Sequence, residues 1–204
     1  MTDDTNWLPS KIVLIDRAQP LVDQWKSQFA DCPGVEVLFG DYFQRPADAL
    51  VSPANSFGIM DGGLDLAIRD QLGFEVEDRL QKVIVEKYHG ELPVGCAEVV
   101  PTDDPRWRYL VAAPTMRVPE PLGKSLAPYL AFRATLVAVE HRNRRAGRRE
   151  IDSLVCCGLG TGVGKVQPSR CAAHMRAAYQ LVSEPAGIPS FDRIHAIHHS
   201  LSVA

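Results

Sequence analysis

The sequence predicts an α/β fold, a three-layer α/β/α sandwich with a mixed, largely parallel central sheet. Three observations lead there. Short apolar runs alternate with helix-period segments from end to end, as in strand–helix units that feed a parallel sheet. Residues 109–113 are continuously apolar and residues 153–157 read as a buried strand, as expected where helices cover both sheet faces. No linker, repeat or low-complexity tract interrupts the 204 residues, so one domain over 1–204 is expected.

Residues 11–16 and 35–39 read as the first two strands, with a short helix over 21–29 between them. A third strand covers 49–54, with Pro53 at its end because proline cannot donate to a ladder. Leu64, Ala67, Ile68 and Leu72 recur on one helical face, and Gly73 ends that helix. A second helix spans 76–88, with Gly90 as its stop. Residues 96–101 and 109–113 form a strand pair that brings antiparallel content. Residues 114–123 are the best candidate for a mobile surface loop. Ser125 caps a long helix in which Leu126, Leu130, Ala134 and Val137 share a face. After the strand at 153–157, a helix opens near Pro168, a residue suited to a first turn. Residues 193–198 are expected as the last strand.

Lys and Arg number 22 against 25 Asp and Glu, a net charge of −3, so bulk charge offers nucleic acid no attraction. The basic 141–149 segment holds five arginines and reads as a solvated helix end. No apolar run reaches the roughly 18 residues of a membrane span. The polar, acidic start over residues 1–5 is unlike a signal peptide. The five cysteines form no C-x-x-C pair; the adjacent Cys156 and Cys157 sit in an apolar run and read as small core residues, and a reducing cytoplasm follows as the default. Trp7, Trp25 and Trp107 read as packing aromatics.

Three strand ends carry the chemistry. Gly158, Gly160, Gly162 and Gly164 alternate in a turn between a buried strand and a helix. Such a turn exposes several backbone N–H groups and suits phosphate. A dinucleotide fingerprint fails at Val163 or Lys165, and a P-loop fails at Leu159 and Val166. The second segment, 52–65, also leaves a strand and enters a helix; ligands of open α/β sheets lie beyond such ends. Asn55 suits sugar hydroxyls but is also a natural turn former. Asp65, in the first helical turn, faces a cleft or serves the helix dipole. Third, Gly40-Asp41 is either a turn or an acceptor for an adenine amino group.

Together these pieces resemble the macrodomain family of ADP-ribose-binding modules. Asp48-Ala-Leu-Val-Ser-Pro-Ala-Asn55 is similar to the family's D-A-[IVL]-V-N-A-A-N strand. Asp61-Gly-Gly-Leu-Asp-Leu-Ala-Ile-Arg69 resembles the loop and helix of the MacroD-type hydrolase branch, including the spacing from Asn55 to Asp65. Gly95-Cys-Ala97 resembles the G-x-A strand start, and 160–164 the second phosphate loop. Ser52, Pro53, Asp61, Gly164 and Lys165 depart from the pattern, Gly164 where an aromatic often stands over the distal ribose.

The resemblance implies a site. Asp41 would hold the adenine amino group beside the backbone of Tyr42. The amides of Gly62, Gly63 and Leu64, opposite those of Gly160, Thr161, Gly162, Val163 and Gly164, would cradle the phosphates. Ala54 and Asn55 would lie at the distal ribose, and Asp65 would orient or activate water at the anomeric carbon. ADP-ribose or an ADP-ribosylated protein is then the partner. The implied activity is hydrolysis of ADP-ribosyl bonds, on mono-ADP-ribosylated protein or O-acetyl-ADP-ribose, with no cofactor and no metal; a non-catalytic ADP-ribose-binding module is the alternative. In the strand expected at the end of the chain, His195 and His199 share a face and His198 takes the other, a poor metal set. His198 or His199 is a candidate for the adenine end of the cleft. His89 and His174 are expected on helices, and nothing marks a serine or cysteine nucleophile.

Overall fold

The computed structural model describes residues 7–203; the acidic stretch over residues 1–5 lies outside them. Six strands form one sheet: β1 (Lys11–Asp16), β2 (Val35–Phe39), β3 (Ala49–Ser52), β4 (Glu98–Pro101), β5 (Tyr109–Ala112) and β6 (Ser153–Cys156). Their spatial order is β2-β1-β6-β3-β5-β4. All neighbours run parallel except β4 and β5, which pair antiparallel, Glu98 opposite Ala112.

Strand alternation builds two cores. Leu14, Val51 and Leu154 point to one side and meet Trp25, Phe132 and Met175. These belong to α1 (Gln19–Gln28), α4 (Ala127–Ala146) and α5 (Pro168–Ser183). Ile15, Leu50 and Val155 point to the other and meet Ile68, Leu80 and Ile84, from α2 (Gly63–Leu72) and α3 (Glu75–Tyr88). The sheet is therefore sandwiched between two helical layers, the three-layer arrangement expected. Trp25 and Trp107 are fully buried, and Trp7 is half-buried.

Gly73 ends α2 as expected, whereas α3 closes on His89 in the left-handed conformation, one residue before Gly90. The Ser125 hydroxyl accepts from the amide of Ala127 at 3.0 Å at the start of α4. The buried face of α4 is not the expected one. Ala131, Phe132, Thr135, Leu136, Val139 and Asn143 are buried, and of the expected face only Ala134 joins them, while Leu126, Leu130 and Val137 are half-buried. A helix packed between a sheet and a neighbouring helix buries more than one stripe, and local periodicity does not say which goes deepest. Segment 114–123 is tied down by bonds from the Thr115 amide to Ala54 (3.0 Å) and from the Leu122 amide to Gly164 (2.8 Å).

The expected last strand over 193–198 is instead part of helix α6 (Phe191–Val203). Its apolar residues Phe191, Ile194, Ile197 and Leu201 fit helical spacing once the full segment is counted, and Leu201 is its buried anchor. The Nε2 of fully buried His174 donates to the Leu201 carbonyl at 2.9 Å. On a helix, His195, His198 and His199 fall on neighbouring positions of one face, not on opposite faces of a strand.

Four of the five arginines of 141–149 pair with acids. Arg142 and Arg148 reach Glu150, Arg144 reaches Glu140, and Arg149 lies 4.0 Å from Asp152. Asn143, among them, is buried and latches the helix to the Ile151 backbone. Among the described residues no helix is long and apolar enough to cross a membrane.

Candidate functional site

The parallel strands β1, β2, β3 and β6 end at one edge of the sheet, and a groove of about 720 Å³ lies beyond it. Every residue singled out from the three strand ends lines it. Asp41 and Tyr42 come from the turn after β2, Ala54 and Asn55 from the exit of β3, and Gly62 to Asp65 from the start of α2. Gly160 to Gly164 come from the turn after β6. His198 and His199 do not line the groove, nor does Lys165.

Each wall has a physical reason. Helix α2 begins without a side-chain cap at Gly62. The first-turn amides of Gly63, Leu64 and Asp65 therefore lack intrahelical partners and present the positive end of the dipole. Across the groove, Thr161 Oγ1 donates to the Gly158 carbonyl at 3.0 Å, and the amide of Val166 closes on Gly160 at 3.1 Å. Within the turn the Lys165 amide donates to the Gly162 carbonyl at 3.1 Å, and no acceptor holds the amides of 161–164 among the described residues. Gly164 is required here. A Cβ there would run into the Gly160 carbonyl oxygen and the Leu122 side chain. The chain thus has no room for an aromatic at 164 unless this turn shifts. Lys165, at φ 52°, takes the left-handed conformation that glycine adopts more readily.

Asp65, Glu77 and Asp41 are each engaged by a named partner. Asp65 is half-buried, and the hydroxyl of fully buried Ser52 donates to its Oδ1. Burial pushes the Asp65 pKa from 3.8 to about 6 against the pull of that bond, with Glu77 and Asp61 adding repulsion. Glu77 is held by Arg69 at 3.1 Å and accepts from the Met60 amide at 2.8 Å. Asp41 caps a single 3₁₀ turn, accepting from the Phe43 amide at 2.8 Å, and its other oxygen pairs with Arg17. The side chain of Asn55 is committed to its own loop. Its Oδ1 accepts from the amides of Phe57 (3.0 Å) and Ile59 (3.3 Å), and its Nδ2 donates to the Ile59 carbonyl (2.7 Å). That is the turn-forming role, and it leaves one N–H of the amide for any ligand.

Several lining residues were not anticipated. Asp16 accepts from the Gly158 amide at 3.1 Å and so braces the glycine turn from β1. Arg17 is the one cation lining the groove among the described residues, against Asp16, Asp41, Asp61 and Asp65. Asp16 ends β1 and Arg17 follows it at the same sheet edge, so the rule that singled out the other strand ends applies to them. Thr115, Met116 and Pro119 close the groove from the 114–123 segment, a contribution with no local signal. Cys157 also lines it, but burial holds its thiol well above the usual pKa, which keeps it un-ionised and poorly nucleophilic. Among the described residues no cluster of three or more His, Cys, Asp or Glu is arranged to hold a metal.

Comparison with known proteins agrees with this geometry. The family model described as Macro domain matches residues 51–175, which include both loops. An uncharacterised protein of Aquifex aeolicus is 32% identical over 141 residues, 69% of this chain and 76% of that one. The Oceanobacillus iheyensis macrodomain solved with ADP superposes with a TM-score of 0.56 at 19% identity, covering 79% of this chain and 86% of that chain. Thermosipho africanus DarTG in complex with ADP-ribose gives 0.54 at 19% identity, covering 69% of this chain and 37% of that one. The sheet order, the paired loops and the matched span together place the chain in the macrodomain family.

Proposed function

We propose that the protein binds ADP-ribose in this groove and hydrolyses ADP-ribosyl bonds of mono-ADP-ribosylated protein or O-acetyl-ADP-ribose. One observation carries the reading. Asp65 lines the same groove as the glycine turn, with a pKa near 6 set by burial. A carboxylate tuned to that range accepts a proton near neutral pH far better than one at 3.8.

Asp41 would accept from the adenine amino group, sharing or displacing Arg17, beside the Tyr42 backbone. Amides of Gly62, Gly63 and Leu64 would meet one phosphate and those of Gly160 to Gly164 the other. Two facing sets of N–H groups, one on a helix dipole, offset the repulsion between a diphosphate and the four aspartates. Ala54 and the remaining N–H of Asn55 would border the distal ribose.

On mono-ADP-ribosylated protein a water oxygen bonds to the anomeric carbon and its proton passes to Asp65. The bond from that carbon to the acceptor oxygen breaks, and the electron pair leaves with the acceptor carboxylate. Positive charge develops at the carbon, where the ionised Asp65 and the substrate phosphates stabilise it. On O-acetyl-ADP-ribose the water instead attacks the ester carbonyl carbon, acetate leaves, and the proton returns to the sugar oxygen. No metal enters this scheme, so a chelator should leave the rate unchanged.

The test is release of ADP-ribose from both substrates, with calorimetry on the same samples. Loss of turnover in Asp65→Ala with retained ADP-ribose affinity is the expected result. The commitment of Asn55 to its own loop favours a second reading, a binding module without turnover. Tight binding with no release by the wild type would establish that one, and absence of binding would dismiss both.

A further inference from the structure

We propose that Ser52 is a positioning residue for this hydrolysis: its buried hydroxyl holds Oδ1 of Asp65, leaving Oδ2 as the oxygen presented to the attacking water. The proposal rests on the hydrolytic reading above and adds to it a residue outside the groove.

Ser52 is the last residue of β3, paired with Ala112 of β5, and its carbonyl accepts from the Ala113 amide at 2.9 Å. It is fully buried and does not line the groove, so it acts on a ligand only through Asp65. Its backbone belongs to a strand flanked by β5 and β6, which makes it a rigid anchor. Asp65, by contrast, stands on the first turn of α2 after a loop with two consecutive glycines. The Ser52 hydroxyl is the only side-chain donor to Asp65 among the described residues, and it reaches Oδ1 alone. A carboxylate gripped at one oxygen has its rotation set, and the other oxygen keeps its lone pairs for water. The same bond favours the ionised form against burial and against the neighbouring Asp61 and Glu77. Serine stands where the resembled motif has asparagine, so here a short hydroxyl makes the contact.

The experiment is a pH–rate profile for wild type, Ser52→Ala and Ser52→Thr, with KM measured at each pH. The Asp65 carboxyl is titrated by carbon NMR in the same three proteins. Losing one charge-assisted hydrogen bond lowers the ionisation constant roughly tenfold. The ionised fraction, and with it kcat, then falls about fivefold at pH 6 and hardly at pH 8. KM should stay constant, and threonine, which keeps the hydroxyl, should restore both the profile and the titration. An active wild type whose acid limb and Asp65 titration coincide with those of Ser52→Ala would overturn the role of Ser52 alone. A wild type with no turnover at any pH would overturn the hydrolytic reading and this role with it. The NMR titration, which needs no substrate, would then still show whether Ser52 and Asp65 are coupled.

Discussion

Replacing Asp65 by asparagine should make the protein more stable at neutral pH while removing its proposed base. Asparagine keeps an oxygen that accepts from Ser52 but carries no charge into the wall of the groove. The folded state holds the Asp65 proton up to about pH 6, whereas the unfolded chain releases it near 3.8. Between those values the folded form binds more protons, so stability falls as pH rises through the window. Above it the whole penalty is present, up to about 3 kcal/mol for that displacement; below it none remains. A chain of this size moves its Tm by about 2–4 °C per kcal/mol, so Asp65→Asn should gain up to roughly 6–12 °C at pH 7.5 and only about 1–2 °C at pH 4. Thermal unfolding of both proteins at pH 4, 5, 6 and 7.5 reads this directly. Other groups titrating in the range, His174 among them, are common to both proteins and cancel in the difference. A gain independent of pH, or a loss at pH 7.5, would refute the account of Asp65 as an ion held in the wall at an energetic cost.

Other outcomes follow from the same geometry. Gly164→Ala should lose about 1–3 kcal/mol by overpacking against the Gly160 carbonyl and Leu122. Gly162→Ala, whose Cβ meets nothing within 4 Å, should melt with the wild type; equal Tm values for all three proteins would contradict the packing of this turn. ADP-ribose at 100 times its dissociation constant should add about 2.7 kcal/mol of apparent stability, and Asp41→Ala should weaken that binding in calorimetry. Burial lowers the pKa of His174, so the unfolded chain takes up a proton below about 6.5 that the folded one refuses. Stability should therefore drop as pH falls from 6.5 toward the folded value, and His174→Gln should flatten that limb in a melting series.

The strands, the two glycine turns and the asparagine–aspartate pair at the exit of β3 were legible because their signals are short-range. An apolar run of four to six residues, a glycine that must turn the chain, and a helix-period stripe all declare themselves within a dozen positions. The strand-end rule then placed Asp41, Asn55, Asp65 and the 160–164 turn at one sheet edge. The local signal misled at 193–198, where a six-residue window of apolar alternation hid the longer helical period of α6. What a side chain does at the site was decided by partners distant in the chain. Asp16 braces Gly158 across 142 positions, Arg17 occupies Asp41, and Ser52 holds Asp65. Sequence alone determined which backbone bends meet at the groove, because backbone conformation follows local sterics and hydrogen bonding. Only the tertiary structure decided which polar atoms remain available there, because hydrogen bonds and desolvation depend on what the packed layers bring within about 3 Å.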